Sequence, residues 1–436
     1  MKMNSFFKAA ISMILLAAIA LSCGCGAVIT PAEPTAEPTE KPVSGDLKTV
    51  DLMSGVRSSN NSRPVIPAAS SADKAADFAV RLFKACLDEK GNTLVSPLSV
   101  LAALSMTANG AKGETLAQME EVLGMPLEEL NEFYFNYSGQ LENTDKCSME
   151  LANSIWFADD GRFEVNGGFL QKNADFFGAD IYKAPFVEAT RKDINDWVNE
   201  HTEGMIPEIL GPDTDMSSAV MYLINALAFD AEWERIYETN DVNEGEFTAE
   251  NGQKSKAEFM YNMERDWLKT DNAEGFIKYY KGGRYAFAAL LPNEGVSVNE
   301  LVASLDGGKL MSILRNRRDE GVMTAIPKFE TSFDTELSEV LIGMGMPDAF
   351  DAKLADFTGL GTSAFGNIYI NRVLHKTFIS VDEKGTKAGA ATAVEMMLEG
   401  APWSEHRVFL DRPFVYMLID TKTNLPFFIG TMTDVG

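Results

Sequence analysis

Glu383-Lys384-Gly385-Thr386-Lys387-Ala388-Gly389-Ala390-Ala391-Thr392-Ala393-Val394-Glu395-Met396-Met397-Leu398-Glu399 is the most unusual segment of the chain. Seven consecutive small or β-branched residues lie between Lys387 and Glu395, with no charge among them. Read as a helix, the segment is rich in Ala but broken by Gly385 and Gly389. Read as a strand, it has a period of two. Thr386, Ala388, Ala390, Thr392, Val394 and Met396 share one parity, and Lys387, Gly389, Ala391, Ala393 and Glu395 share the other. One face is small and apolar while the other carries the charges, which is the pattern of a strand that inserts into a sheet. The competing reading, on composition alone, is a flexible Ala/Gly loop.

Upstream of this stretch the chain divides by composition. Lys2 and Lys8 precede an apolar run from Ala9 to Leu21, so residues 1–22 read as an export signal, too short to span a membrane comfortably. Ala20-Leu21-Ser22-Cys23 is similar to a bacterial lipobox, which makes Cys23 a lipid anchor; the alternative is an ordinary cleaved signal peptide. Pro31 to Pro42 is a Pro/Glu/Thr repeat and polar Ser/Asn-rich sequence follows, so residues 23–71 read as a spacer. The folded domain is expected over 72–436. These features place the protein outside the cell, secreted or held on the outer face of a bacterial membrane through that one anchor.

Composition narrows the chemistry. Of 436 residues, 64 are Asp or Glu and 38 Lys or Arg, a net charge of -26 that argues against nucleic acid as a partner. Cys86 and Cys147 are the only cysteines in the body, too few for a disulfide framework. With three scattered histidines they make no metal site. Gly359-Leu360-Gly361-Thr362-Ser363-Ala364 fits the loose dinucleotide fingerprint, but it follows Asp356-Phe357-Thr358 rather than a buried strand, so no cofactor is expected. No nucleophile elbow, zinc motif or phosphate loop occurs, and an enzyme is the weaker hypothesis.

Helices are expected over Asp73–Leu87, Val100–Ala108 and Asp193–Leu210, and another from a Thr115/Gln118 capping box to Gly124. Strands are expected over Val220–Phe229, Tyr285–Leu291, Ile368–Ile370, His375–Val381, Val408–Ile419 and Phe427–Met432. Asn251-Gly252 marks a hairpin. Helices come early and strands late without βαβ regularity, which predicts an α+β fold with large, mostly antiparallel sheets.

Ser96-Pro97-Leu98-Ser99, Gly110-Ala111-Lys112-Gly113, Asn225-Ala226, Ile326-Pro327-Lys328-Phe329, Gly345 to Phe350, His375 to Phe378, Asp382 to Ala393 and Asp411 to Phe414 follow one another along the chain. In that order they resemble the serpins across residues 72–436. The resemblance implies one domain of three β-sheets, eight or nine helices and an exposed reactive-centre loop. It also implies that the protein is no enzyme but a suicide inhibitor of serine proteases. The target attacks the loop, forms an acyl-enzyme, and is carried away as the cleaved loop inserts into the central sheet. Loop insertion of this kind is a known form of strand addition. About fourteen inserted residues at ~3.3 Å each span roughly 45 Å.

By the same resemblance Gly385 and Thr386 form the hinge, followed by Ala388, Ala390, Ala391 and Thr392. Ser96, Ser99, Asn225 and His375 match a polar cluster under the opening sheet. Glu383, Lys328 and Trp233 match the group where the loop first inserts. Counting from Gly385 puts the reactive bond at Glu399–Gly400, within a window that also holds Leu398, Ala401, Pro402 and Trp403. Without a suitably placed basic residue, the implied targets are elastase-, subtilisin- or chymotrypsin-like for cleavage after Leu398, Met397 or Ala401, or glutamyl-specific for cleavage after Glu399; the complex is covalent and the inhibitor itself a monomer. Lys387 and Gly389 depart from the family's usual acidic residue and alanine. Lys387 lies on the solvent parity, and Gly389 costs a few tenths to ~1 kcal/mol in a strand. A non-inhibitory serpin acting as a surface binder is the alternative.

Overall fold

Ala72, Ala75, Phe78, Ala79, Leu82 and Phe83 are all buried on one face, and the spacing makes helix α1, Ala69–Ala85. The computed structural model describes residues 48–88, 91–159, 163–217, 219–363, 366–386 and 405–436. Among these, eight further α-helices follow α1: α2 (Pro97–Ala108), α3 (Gly113–Leu123), α4 (Leu127–Ser138), α5 (Gly167–Phe176), α6 (Glu188–His201), α7 (Val298–Ser304), α8 (Gly307–Arg315) and α9 (Ser338–Met344). The strands of the first half are β1 (Val50–Asp51), β2 (Thr93–Val95), β3 (Cys147–Ala158), β4 (Glu164–Val165), β5 (Asp180–Ala184), β6 (Met221–Glu232), β7 (Val242–Thr248), β8 (Lys254–Lys269) and β9 (Ala273–Tyr279). Those of the second half are β10 (Tyr285–Pro292), β11 (Arg318–Pro327), β12 (Phe329–Glu336), β13 (Gly361–Thr362), β14 (Arg372–Val381), β15 (Gly385–Thr386), β16 (His406–Phe409), β17 (Phe414–Asp420) and β18 (Leu425–Met432).

They form three sheets. The central sheet runs β1-β5-β3-β6-β15-β14-β12, and a nine-stranded sheet runs β16-β11-β8-β9-β10-β17-β18-β2 with β7 beside β8. The third is the pair β13-β4. Pairing is antiparallel except at β3–β5, β6–β14 and β11–β16, so the class is α+β as the patterning predicts. β6 is apolar on both faces because both are covered. Tyr222, Ile224 and Ala226 pack under Ile194, Trp197 and Val198 of α6, while Phe229 meets Tyr280, Tyr285 and Phe427 of the second sheet edge-on or tilted.

Several expected boundaries move. The helix expected over Asp193–Leu210 spans Glu188–His201, because Glu203 and Gly204 turn to positive φ. The Asn195 amide then ties Ile209 and Leu210 back onto the helix. Thr115 and Gln118 cap nothing: the helix starts at Gly113, and their side chains accept the amides of Asp356 and Asp348. Its end at Gly124 is as expected, in a left-handed conformation. Ile368–Ile370 is not a strand, and Val408–Ile419 is two, broken at Leu410–Pro413 because proline has no amide proton for the ladder. The glycines of the apparent dinucleotide motif serve close packing. A Cβ at Gly359 would lie 2.7 Å from the Gly110 carbonyl oxygen, and one at Gly361 2.2 Å from that of Glu164.

Residues 48–71, assigned by composition to the spacer, belong to the body. β1 extends the central sheet by pairing with β5, and the Leu52 amide donates to the Ile181 carbonyl. Farther along, the Ser59 amide donates to Asp175 on α5, the Val65 amide to Asn136 on α4, and Gln140 to the Pro64 carbonyl. A polar segment needs no core of its own when an edge strand and two helix faces supply partners. The signal, the Pro/Glu/Thr repeat, Cys23 and the rest of 1–47 lie outside the described residues.

Candidate functional site

β6 and β14 are neighbours in the central sheet, yet they pair directly over only four positions, from Arg372↔Tyr222 to His375↔Asn225. Above that point Ala226–Asp230 and Lys376–Ser380 do not pair with each other. At the head of the same seam sits β15. Thr386 pairs with Ala231 on one side and Val381 on the other, and Gly385 faces Glu232. The two strands are zipped at the foot, splayed above it, and bridged at the head by the first two residues of a third.

The chain reaches that position through a tight turn. The Asp382 carboxylate accepts the amides of Lys384 and Gly385, and the Asp382 amide donates to the Gly385 carbonyl. Only glycine fits next, since a Cβ on Gly385 would lie 1.9 Å from the Ala231 carbonyl oxygen. The turn is pinned from the side by Trp233, whose indole N–H donates to the Asp382 carbonyl at 2.8 Å and whose amide donates to Lys384. The Tyr237 amide donates to Glu383. The Lys328 ammonium bridges Glu383 at 2.9 Å and Glu258 at 3.3 Å. Burial alone lowers the Lys328 pKa, but the hydrogen bonds to Glu383 and Glu258 outweigh it and raise it. The same contact outweighs burial at Glu383 and lowers that carboxyl. Glu383, Lys328 and Trp233 are thus brought together as the sequence suggests.

Two residues that sequence reading missed complete this corner. Tyr280 stacks on Trp233 with ring centroids 4.4 Å apart and planes 10° apart, and its hydroxyl lies 2.6 Å from the Thr386 hydroxyl. Lys278 is almost wholly buried beneath them, 5.1 Å from the Trp233 ring centroid, and pairs with Glu264 at 3.0 Å. Burial holds the Lys278 pKa below that of an ordinary lysine in spite of this carboxylate. Lys278 lies in β9 and Tyr280 just beyond it, with no motif around either, so nothing in the sequence singles them out.

The polar cluster at the foot of the seam also assembles. The Ser96 amide donates to His375 Nε2 at 3.1 Å, and His375 Nδ1 lies 2.7 Å from Asn225 Oδ1, which also accepts the Ser99 hydroxyl at 3.0 Å. This geometry requires the Nδ1–H tautomer. Burial pushes the His375 pKa down to about 3, so the ring is neutral and serves as a connector between β14, β6 and α2. The Ser96 hydroxyl is buried with no partner; its contribution is the main-chain amide. Asn153 of β3, directly opposite Asn225, extends the polar row and was also missed. His201 Nδ1–H donates to the Trp197 carbonyl, and His406 stacks on Trp267 beside Glu320. Ala388, Ala390, Ala391, Thr392, Leu398, Glu399, Gly400, Ala401, Pro402 and Trp403 lie outside the described residues.

A three-sheet α+β body with a strand begun in its central seam defines a protein class, and comparison identifies it. The family model Serpin (serine protease inhibitor) matches residues 73–435, and the chain belongs to that family. A serpin-like protein of Thermococcus kodakarensis is 29% identical, covering 94% of this chain and 95% of its own. Leukocyte elastase inhibitor of Xenopus tropicalis is 27% identical over 78% of this chain and 92% of its own. Among solved structures, the thermophilic serpin Tengpin in its native state is 45% identical, with a TM-score of 0.84 over 89% of this chain and 100% of that one. The latent state of Tengpin matches at a TM-score of 0.75 with 46% identity, over 84% and 98%. At nearly equal identity, the described fold is closer to the native form.

Proposed function

We propose that this chain is a suicide inhibitor of serine endopeptidases, acting by loop cleavage, acyl-enzyme trapping and insertion of the cleaved loop between β6 and β14. The observation that carries this reading is β15: Gly385 and Thr386 are already strand residues in the seam, antiparallel to both flanks. Continuing that register puts Thr392 opposite Asn225 and His375, six residues beyond Thr386. Thr386 points into the core, so the alternating small residues after it would follow on the buried side and Lys387 on the other. The work done by the protein is mechanical. The target supplies the nucleophile and the base, and this chain supplies strain released faster than water deacylates the ester.

The reactive bond is assigned to Glu399–Gly400, within the window Leu398 to Trp403. Cleavage after Glu399 would suit a glutamyl-specific protease, while cleavage after Leu398 or Ala401 in the same window would suit targets of chymotrypsin, elastase or subtilisin type, with which a relative carrying the name leukocyte elastase inhibitor agrees in kind. The protein would work as a monomer outside the cell, lipid-anchored at Cys23 or secreted.

The test is incubation with pancreatic elastase, subtilisin, chymotrypsin and a glutamyl endopeptidase, followed by SDS gels and mass spectrometry. A covalent complex stable in SDS, with a released C-terminal peptide, is expected and fixes the bond. If every protease cuts the loop and stays active, the non-inhibitory reading replaces this one.

A further inference from the structure

Thr386 is buried, 2% exposed, and its side chain is polar. A buried hydroxyl without a partner is costly, and at this position the sheet's own ladder uses only main-chain groups. Its partner is the Tyr280 hydroxyl at 2.6 Å. Tyr280 belongs to the other sheet, just beyond β9, and is itself fully buried. Its ring cannot swing away, because Trp233 stacks on one side and Phe229 meets it edge-on. A fixed hydroxyl therefore aims at the first inserted side chain of the loop. Trp233, the residue that fixes it, also donates to the turn at Asp382 and Lys384.

We infer that Tyr280 is a positioning residue that holds Thr386 in the seam and so keeps the loop's first two residues inserted before any protease arrives. The consequence follows from chain length and rests on the inhibitory reading above. Two residues held in the sheet shorten the free loop by about 7 Å. They also supply the nucleus from which the strand extends, so insertion after cleavage is propagation instead of nucleation. Releasing the anchor makes the loop easier to attack and slower to insert. The two effects move association and partitioning in opposite senses, which loss of core packing alone does not do.

The experiment uses the full chain and the variants Tyr280→Phe, Thr386→Val, Thr386→Ser and the double Tyr280→Phe/Thr386→Val. Phe keeps the ring that stacks on Trp233, and tryptophan emission of that variant checks that the stack survives. Amide hydrogen exchange at Trp233, Tyr237, Lys384 and Gly385, all bonded to or within the turn, reads the anchor without any protease. Exchange at these four is expected to rise roughly five- to tenfold in Tyr280→Phe and in Thr386→Val. The double variant is expected to gain no more than either single, and Thr386→Ser to stay near the parent. Unchanged exchange in both single variants, or full additivity in the double, overturns the anchor.

With subtilisin and elastase as probes, Tyr280→Phe should raise both the association rate and the number of inhibitor molecules consumed per trapped protease. If exchange rises while that stoichiometry stays put, the anchor does not govern insertion and the inference fails there. If the parent traps neither protease nor any other in the panel, the inhibitory reading fails, while the exchange result still decides the anchor.

Discussion

At the scale of single residues, the foot of the seam turns on His375. Its imidazole is neutral because burial holds its pKa near 3, against about 6.5 in an unfolded chain. The folded state therefore refuses a proton that the unfolded state accepts below pH 6.5. Stability is unaffected above that pH and falls as the solution is acidified, down to the folded value. Between pH 7 and pH 5 this one group should cost about 2 kcal/mol. Unfolding free energies from urea titrations across that range should drop less steeply in His375→Asn than in the parent by about that amount; parallel profiles would show that another group sets the acid limb. His375 and Asn225 were legible as members of a polar cluster through family resemblance. The tautomer, and the fact that Ser96 acts through its amide while its hydroxyl is idle, were not, since main-chain geometry leaves no mark on residue identity.

At the scale of elements, the decisive unit is the β14–β15 hairpin, and half of its logic was readable. The period of two over Thr386 to Met396 puts Thr386 on the small-residue face, and its side chain is buried against Tyr280, while the rest of that stretch lies outside the described residues. Nothing local says that Asp382 caps the turn or that the turn is already folded, since those depend on Trp233 and Tyr237 arriving from 145 or more residues upstream. The helix expected over 193–210 failed for a related reason. Ile206, Ile209 and Leu210 keep a helical apolar spacing, but the Ile206 amide donates to the Thr202 hydroxyl and the Ile209 and Leu210 amides to the Asn195 side chain, from outside the helix. Gly385 is where the hairpin can be broken cleanly. Gly385→Ala places a methyl 1.9 Å from the Ala231 carbonyl oxygen, so β15 must leave the seam. Trypsin should then cut after Lys384 at least tenfold faster than in the parent while the rest of the body resists. Equal cleavage rates would mean that the turn holds without its strand.

At the scale of the whole molecule, the central sheet is a nearly finished structure with a wedge left in it. Below the head, the flanks Ala226–Asp230 and Lys376–Ser380 have main-chain groups directed along the seam, and four direct β6–β14 pairs close its foot. On the inhibitory reading proposed above, a cut within 387–404 would free the chain to run down this seam in the register set by Thr386. Insertion as far as Thr392 would bring the strand to the His375–Asn225 contact, after which the four direct pairs would have to separate to admit the remainder. Each strand residue added completes hydrogen bonds on both sides, at roughly 1 kcal/mol net apiece. About ten such residues give on the order of 10 kcal/mol. At roughly 1.2 °C per kcal/mol for a body of about 390 residues, that is a rise of about 12 °C in the unfolding temperature. Scanning calorimetry of the intact chain and of the chain cut once in the loop measures this directly. A cut form that melts at or below the intact temperature would show that the seam does not take up the loop, whatever the register at its head.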